Sequence, residues 1–167
     1  NNDTFDIPDY IKRICGYSLS DTLIESITIP FEVTSIGKGA FANCFQLKHV
    51  NFVNNSKLQK IESRAFCGTL IESITIPSEV TELEEERCYE TKCLNEINVS
   101  PLNKRYRSVD NKIIIGKTNI KSNDYDCLVF CARKAKVLTI PDYIKHICAC
   151  AFANTNINCI TIPSEVT

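Results

Sequence analysis

The stretch Ser73-Ile74-Thr75-Ile76-Pro77-Ser78-Glu79-Val80-Thr81 decides the fold, because the chain repeats it. Its centre, Ile74-Thr75-Ile76-Pro77, also stands at Ile27-Thr28-Ile29-Pro30 and at Ile160-Thr161-Ile162-Pro163. Looser copies are Phe5-Asp6-Ile7-Pro8 and Leu138-Thr139-Ile140-Pro141, and degenerate ones are Val50-Asn51-Phe52-Val53 and Ile97-Asn98-Val99-Ser100. The copies start at 5, 27, 50, 74, 97, 138 and 160, in steps of 22, 23, 24, 23, 41 and 22. The long step is one repeat plus an insertion of about 18 residues. A second phrase follows at nearly constant distance: Ile36-Gly37-Lys38-Gly39-Ala40-Phe41-Ala42-Asn43-Cys44, then Ile61 to Phe66, then Ile147 to Asn154. Self-similarity of this period marks a solenoid, in which each coil buries its apolar face only against its neighbours.

Within a repeat, Leu47-x-x-Val50-x-Phe52 and Leu94-x-x-Ile97-x-Val99 have the L-x-x-L-x-L form of a leucine-rich repeat. Alternation predicts a strand with Val50 and Phe52 inward and Asn51 outward. Proline follows directly in five copies; it has no N–H for a ladder, so it ends the strand and starts the turn. The β-branched segment Glu32-Val33-Thr34-Ser35-Ile36 predicts a second short strand on the return side. Ala40-Phe41, Ala65-Phe66 and Ala151-Phe152 then predict a short helical turn, with the ring in the core and the alanine letting coils approach. Residues 1–167 are therefore read as a single, mainly β leucine-rich-repeat solenoid of about seven repeats with short helical turns and a β-hairpin insertion at about 104–134. In the fourth repeat, Glu84-Glu85-Glu86-Arg87-Cys88-Tyr89 replaces the glycine and Ala-Phe segment, which predicts a distorted, more exposed coil. The last copy stops at Thr167 after a strand and the start of its return. That reads as a cut piece of a longer array whose open end would serve self-association.

These phrases, with the 22–24 residue step, resemble the BspA-like leucine-rich repeats over the whole chain apart from the insertion. The insertion fits as well: Tyr106 to Ile115, followed by Cys127-Leu128-Val129-Phe130-Cys131, resembles the β-hairpin often found between repeats of that family. The resemblance implies a curved β solenoid from surface proteins of anaerobic bacteria and mucosal protists, associated with adhesion to host matrix proteins or other cells.

Composition sets limits on the alternatives. An apolar share of 44% and a charged share of 23% support a packed core in a chain of 167 residues. The longest apolar run, Ile147 to Ala153, is far short of the ~20 residues needed to cross a bilayer. A net charge of -1 lacks the basic excess of a nucleic-acid footprint. Neither nucleic acid nor direct membrane insertion is therefore expected of this segment. Most of the ten cysteines recur at fixed repeat positions and are expected to be free, buried thiols, with a cross-strand or neighbouring-coil bond left open for Cys127 and Cys131. His146-x-Cys148-x-Cys150 is read as packing, because Cys148 and Cys150 take the places of Gly37 and Gly39 and no second ligand pair accompanies them. Catalytic, cofactor and metal sites are not expected: nothing orients Cys44 toward His49, and no phosphate-binding loop occurs.

The outward strand positions Asp6, Thr28, Asn51, Thr75, Asn98, Thr139 and Thr161 form one polar column. Glu25, Lys48, Glu72, Asn95 and Lys136 form the next, giving the mixed-charge concave sheet that solenoids use for partners. The column lacks the Trp, Tyr and Arg that dominate interfaces, whereas the insertion carries Tyr106, Tyr125 and Phe130 with Arg105, Arg107 and Arg133. Candidate partner-binding residues are Tyr106, Arg107, Tyr125, Phe130 and Arg133 on a protruding insertion, and Lys48, Asn51, Glu72, Thr75 and Asn98 on the sheet. The insertion is the favoured contact. Sequons at Asn2, Asn54 and Asn98 would carry glycans on a secreted chain. The expected function is a non-catalytic cell-surface or secreted adhesion module that binds a host matrix or cell-surface protein. The alternative is a cytoplasmic leucine-rich-repeat scaffold.

Overall fold

The computed structural model describes residues 5–84 and 91–167. Six copies of the repeated phrase form short strands: β2 (Ser26–Ile29), β4 (His49–Phe52), β6 (Ser73–Ile76), β8 (Glu96–Val99), β12 (Val137–Thr139) and β14 (Cys159–Thr161). The first copy, Phe5 to Pro8, is not a strand, although Ile7 packs against the core. On the return side lie the two-residue strands β1 (Arg13–Ile14), β3 (Ser35–Ile36), β5 (Lys60–Ile61), β7 (Glu82–Leu83) and β13 (His146–Ile147). All these strands pair in parallel, as coils stacked in one direction must, and Ile14, Ile36, Ile61 and Leu83 share one register.

The segment expected to be a helical turn is a run of tight turns instead. Tyr17, Gly39, Arg64 and Cys150 have φ of 57°, 59°, 58° and 59°. Four residues later, Asp21, Asn43, Gly68 and Asn154 have φ of 59°, 59°, 71° and 57°. A right-handed helix cannot pass through left-handed residues at that interval. What they provide is a coil-to-coil ladder: Gly39, Phe41 and Asn43 donate to the carbonyls of Ser63, Ala65 and Cys67 at 3.0, 2.9 and 2.8 Å. Tyr17, Leu19 and Asp21 donate in the same way to Lys38, Ala40 and Ala42. A Cβ on Gly39 would lie 2.4 Å from the exposed Tyr17 ring, which any larger residue there would have to push aside.

Burial follows the repeat register. Ile27, Ile29, Ile36, Ala40, Phe41, Leu47, Ile61, Phe66, Ile74 and Ile97 lie in one core, and Phe41 stacks on Phe66 at 5.5 Å between centroids, 6° from parallel. A second core gathers Ile113, Ile115, Leu128, Cys131, Leu138, Ile140 and Ile144 under the later coils.

The inserted hairpin is part of a three-stranded antiparallel meander: β9 (Tyr106–Val109), β10 (Ile113–Gly116) and β11 (Cys127–Cys131). Asp110 and Asn111, with φ of 51° and 53°, form the primed turn between β9 and β10. The meander does not protrude. Leu128 takes a return-strand place, accepting the Cys148 N–H at 2.8 Å as Ile14 accepts Gly37 and Ile36 accepts Glu62. Every residue of β10 and β11 is buried, so the sheet is a layer of the solenoid rather than an arm. The distortion expected across Glu84 to Tyr89 falls mostly on residues 85–90, outside the described residues. Among the described residues no helix is long and apolar enough to cross a membrane.

Candidate functional site

The strand face is not continuous. β2 pairs with β4 and β6 with β8, but β4 and β6 belong to separate sheets. Backbone bonds close the gap at both ends. Leu70 N–H donates to Leu47 O at 2.9 Å before the strands, and Thr81 and Glu82 N–H donate to Gln59 O at 2.9 and 3.0 Å beyond them. Between these ties is a slit holding a groove of about 660 Å3. Its origin is in the chain: eleven residues separate Val50 from Ile61, whereas nine separate Ile27 from Ile36 and Ile74 from Leu83. The extra pair lies in the turn Val53-Asn54-Asn55-Ser56, where Asn55 takes φ 59°.

The lining is neutral and hydrogen-bonding. Asn51, Asn54, Asn55, Ser73, Thr75, Ser78 and Ser100 contribute amides and hydroxyls, His49 an imidazole, and Phe52, Pro77 and Leu102 apolar surface. Among the described residues no Lys, Arg, Asp or Glu lines it, in a chain where such residues make up 23%. Asn103 braces the far wall from within. Its buried amide donates to Pro77 O at 2.8 Å and Val80 O at 2.9 Å, and its Oδ1 accepts the N–H groups of Arg105 and Tyr106 at 2.8 Å each. All four hydrogen-bonding positions of that side chain are thus occupied.

The ten candidate residues fall in three places. Asn51 and Thr75 line the slit from its opposite walls. Lys48 and Glu72 are exposed just before the same two strands, and Asn98 is half-buried in β8 next to the meander, where Val99 N–H donates to Ser108 Oγ at 3.4 Å. Arg107 and Tyr125 lie together on the meander, with the guanidinium 4.5 Å and the Lys117 ammonium 4.9 Å from the Tyr125 ring centre. They line a smaller groove of about 300 Å3 with Asp124, Asp126, Tyr143 and Lys145. Burial works against ionisation of Asp126, but hydrogen bonds from Thr118 Oγ1 and N–H, with His146 nearby, outweigh it and hold the carboxyl below its ordinary range.

The other three candidates are interior, which corrects the expectation of a protruding aromatic and arginine cluster. Tyr106 is 7% exposed, Phe130 3% and Arg133 2%. The Tyr106 hydroxyl donates to Thr81 O at 3.1 Å and accepts Leu83 N–H at 3.2 Å, joining the meander to the preceding coil. Arg133 donates to Ala153 O and lies 4.7 Å over the Phe130 ring, so its charge is used inside the chain. Sequence reasoning missed His49, the Asn54-Asn55 turn and the serines of the slit. The signal was the eleven-residue spacing, which breaks the repeat at that coil alone among the first four.

The thiols also differ from expectation. Cys44, Cys127 and Cys131 are buried, Cys67, Cys93 and Cys148 are half-buried, and Cys15, Cys150 and Cys159 are exposed; all nine are unbridged. Cys148 Sγ lies 3.7 Å from Cys127 Sγ.

Solved structures of leucine-rich-repeat proteins have the same architecture. The pneumococcal vaccine antigen PcpA superimposes with a TM-score of 0.84 at 22% identity, over 93% of this chain and 38% of that one. A leucine-rich cell surface protein from Faecalibacterium prausnitzii A2-165 gives 0.69 at 25% identity, over 86% and 43%. A leucine-rich-repeat protein from Eubacterium ventriosum gives 0.56 at 22% identity, over 86% and 49%. The chain spans less than half the length of each. No curated protein matches it. The model of the BspA type leucine-rich repeat region, in six copies, matches residues 1–121 and 107–167, and the chain belongs to that family.

Proposed function

We propose that this chain is a non-catalytic protein-recognition module of a cell-surface or secreted protein, and that it takes its partner on the strand face at the slit between β4 and β6. The observation that carries the reading is the groove of uncharged hydrogen-bonding groups that fills the break between β4 and β6 in the parallel strand face. Such a groove can hold the backbone of a partner's loop without desolvating a fixed charge, which is the costly step in burying ionic groups. The coils on either side are tied together by backbone bonds at both ends of the slit, which limits the ordering cost of binding. Leucine-rich-repeat proteins are in general non-catalytic. Two of the similar solved proteins are a vaccine antigen and a cell surface protein. A host matrix or cell-surface protein is the class of partner that fits.

The test is capture of the chain by a panel of matrix proteins and intact cells, comparing Asn51→Arg/Thr75→Arg with Arg107→Ala/Tyr125→Ala. The first pair should abolish binding by filling the slit, and the second should leave it within about threefold, since rim contacts contribute little. The reverse pattern would move the site to the meander groove. Nine unbridged thiols favour a second reading, a cytoplasmic scaffold. Thiol titration and glycan analysis of Asn54 in protein taken from its own cell separate the two.

A further inference from the structure

We propose that Cys127 and Cys148 are a disulfide pair, which closes in an oxidising environment and fastens the inserted meander to the coil that follows it. Cys127 opens β11 and Cys148 comes directly after β13, and these two strands pair in parallel with Cys127 opposite His146 and Leu128 opposite Ile147. The Cys148 N–H donates to Leu128 O at 2.8 Å, the bond that recurs at this place in every well-formed coil. In the other coils the residue at that place is Gly37, Glu62 or Glu84. Here it is a thiol, and its sulfur lies 3.7 Å from the Cys127 sulfur. A disulfide needs about 2.05 Å, so the sulfurs must approach by roughly 1.7 Å. The backbone here is held by Lys145 and His146 N–H to Asp126 O and by Cys148 N–H to Leu128 O, so the approach is made chiefly by rotation of the two side chains.

The two sulfurs have different access. Cys127 is 7% exposed in the first core, while Cys148 is half-buried and packs against that core from outside. The chemistry is therefore ordered. The Cys148 thiolate attacks one sulfur of a small-molecule disulfide such as oxidised glutathione, forms a mixed disulfide and expels one glutathione thiolate. The Cys127 thiolate then attacks the Cys148 sulfur, the protein disulfide forms, and the second glutathione thiolate leaves. The two cysteines lose two electrons, glutathione disulfide gains them, and the two thiol protons end on the two glutathiones. In the reduced pair the hydrogen bond with Cys148, and then burial, push the Cys127 thiol far above its ordinary pKa. Once Cys148 is in the mixed disulfide the burial remains, so the second step quickens with rising pH. The closed loop would span β11, β12 and β13, adding a covalent link to the backbone bonds that already join the meander to the next coil.

This inference goes beyond the proposed surface location but depends on it for its setting in the cell. The purified chain is incubated with oxidised glutathione, quenched with an alkylating reagent, digested without reduction and mapped by mass spectrometry. Expected is one peptide pair joined through Cys127 and Cys148, absent after reduction and absent in Cys148→Ser. The bridged chain should melt roughly 5–10 °C above the reduced one, as a closed loop of about 20 residues implies, and Cys148→Ser should lose that difference. Because Cys148 is half-buried, its serine variant should fold, as circular dichroism will show. Separate glutathione adducts on the two cysteines, free alkylated thiols at both, or a bond from Cys148 to a different cysteine would overturn the pairing. Mapping the protein from its own cell then addresses location alone: a pair that closes in vitro but is reduced there leaves the disulfide standing and counts against the surface reading.

Discussion

β4 and its two neighbours on the strand face have the same length and the same polar outward column, with Val50 and Phe52 inward in β4 where β2 and β6 have two isoleucines, yet β4 pairs with β2 and not with β6. The return side behaves differently. There β1, β3, β5 and β7 run unbroken through four coils on strands of two residues each. Pairing is therefore not a matter of strand length or β propensity. It depends on whether the turn leaving one strand has the same reach as the turn beside it. Two added residues at Asn54-Asn55 are absorbed on the strand face, and the coils meet again at Gln59. The solenoid can thus open a groove without losing the ladder that holds it together.

The largest effect should come from breaking the side that stays paired. Phe41 is fully buried and stacked on Phe66 between adjacent coils. Phe41→Ala should cost about 3–5 kcal/mol, the range for truncating a packed core ring, measured by urea unfolding. A loss under about 1 kcal/mol would mean the stack does not hold the coils together.

Asn103→Ala tests the wall of the slit from inside. It leaves Pro77 O and Val80 O without their donor and frees the N–H groups of Arg105 and Tyr106. The expected cost is about 2–3 kcal/mol, with hydrogen exchange accelerated at residues 77–83 before the rest of the chain. Uniform acceleration across all coils would show that Asn103 supports the fold as a whole and not this wall.

Much of this was legible in the sequence, and the reason is periodicity. The step of 22–24 residues located six of the seven expected strands, the return side and the buried pairs Ala40-Phe41 and Ala65-Phe66, because stacking forces equivalent residues into equivalent places. The alignment set Cys150 in the place of Gly39, and the two share a left-handed φ of 59°. Where the repeat lapses, so did the reading. Tyr106, Phe130 and Arg133 sit in the insertion, where no copy indicates which way a side chain faces, and their chemistry suggested a surface that their packing denies. The slit was invisible for another reason: it is a missing pairing, and composition carries no sign of one. The helical turns failed because Tyr17, Arg64 and Asp21 are not residues from which a left-handed backbone is ordinarily read.

Deleting Asn54 and Asn55 is the most direct way to erase the difference between the paired and unpaired strands. It restores the nine-residue spacing, so β4 and β6 should join and the groove should close. Two or so added ladder bonds predict a gain of about 1–2 kcal/mol and roughly tenfold slower exchange at the amides of β6. Partner binding should disappear with the groove. A deletion variant that is more stable and still binds would separate the groove from recognition.

The smallest effect lies at the end of the slit where the coils meet again. Lys60, on the coil of β4, lies 2.6 Å from Glu84 and 3.4 Å from Glu82 on the coil of β6, and the Glu84 carboxylate also accepts Ser63 N–H at 3.0 Å. The Lys60 ammonium, then the Ser63 N–H, holds the Glu84 carboxyl below its ordinary range. A carboxylate with a lowered folded-state pKa binds its proton more readily in the unfolded chain. Its contribution is full above the ordinary carboxylate range and fades as pH falls through the lowered value. Glu84→Gln removes that contribution. The urea midpoints of wild type and variant should therefore differ by a constant amount at neutral pH and converge from about pH 5 downward. The difference should also shrink in high salt, because all three side chains are partly exposed to solvent. Midpoints that stay apart by the same amount at pH 7 and pH 3 would show that Glu84 acts through packing, and that the backbone bonds to Gln59 close the slit without help from charge.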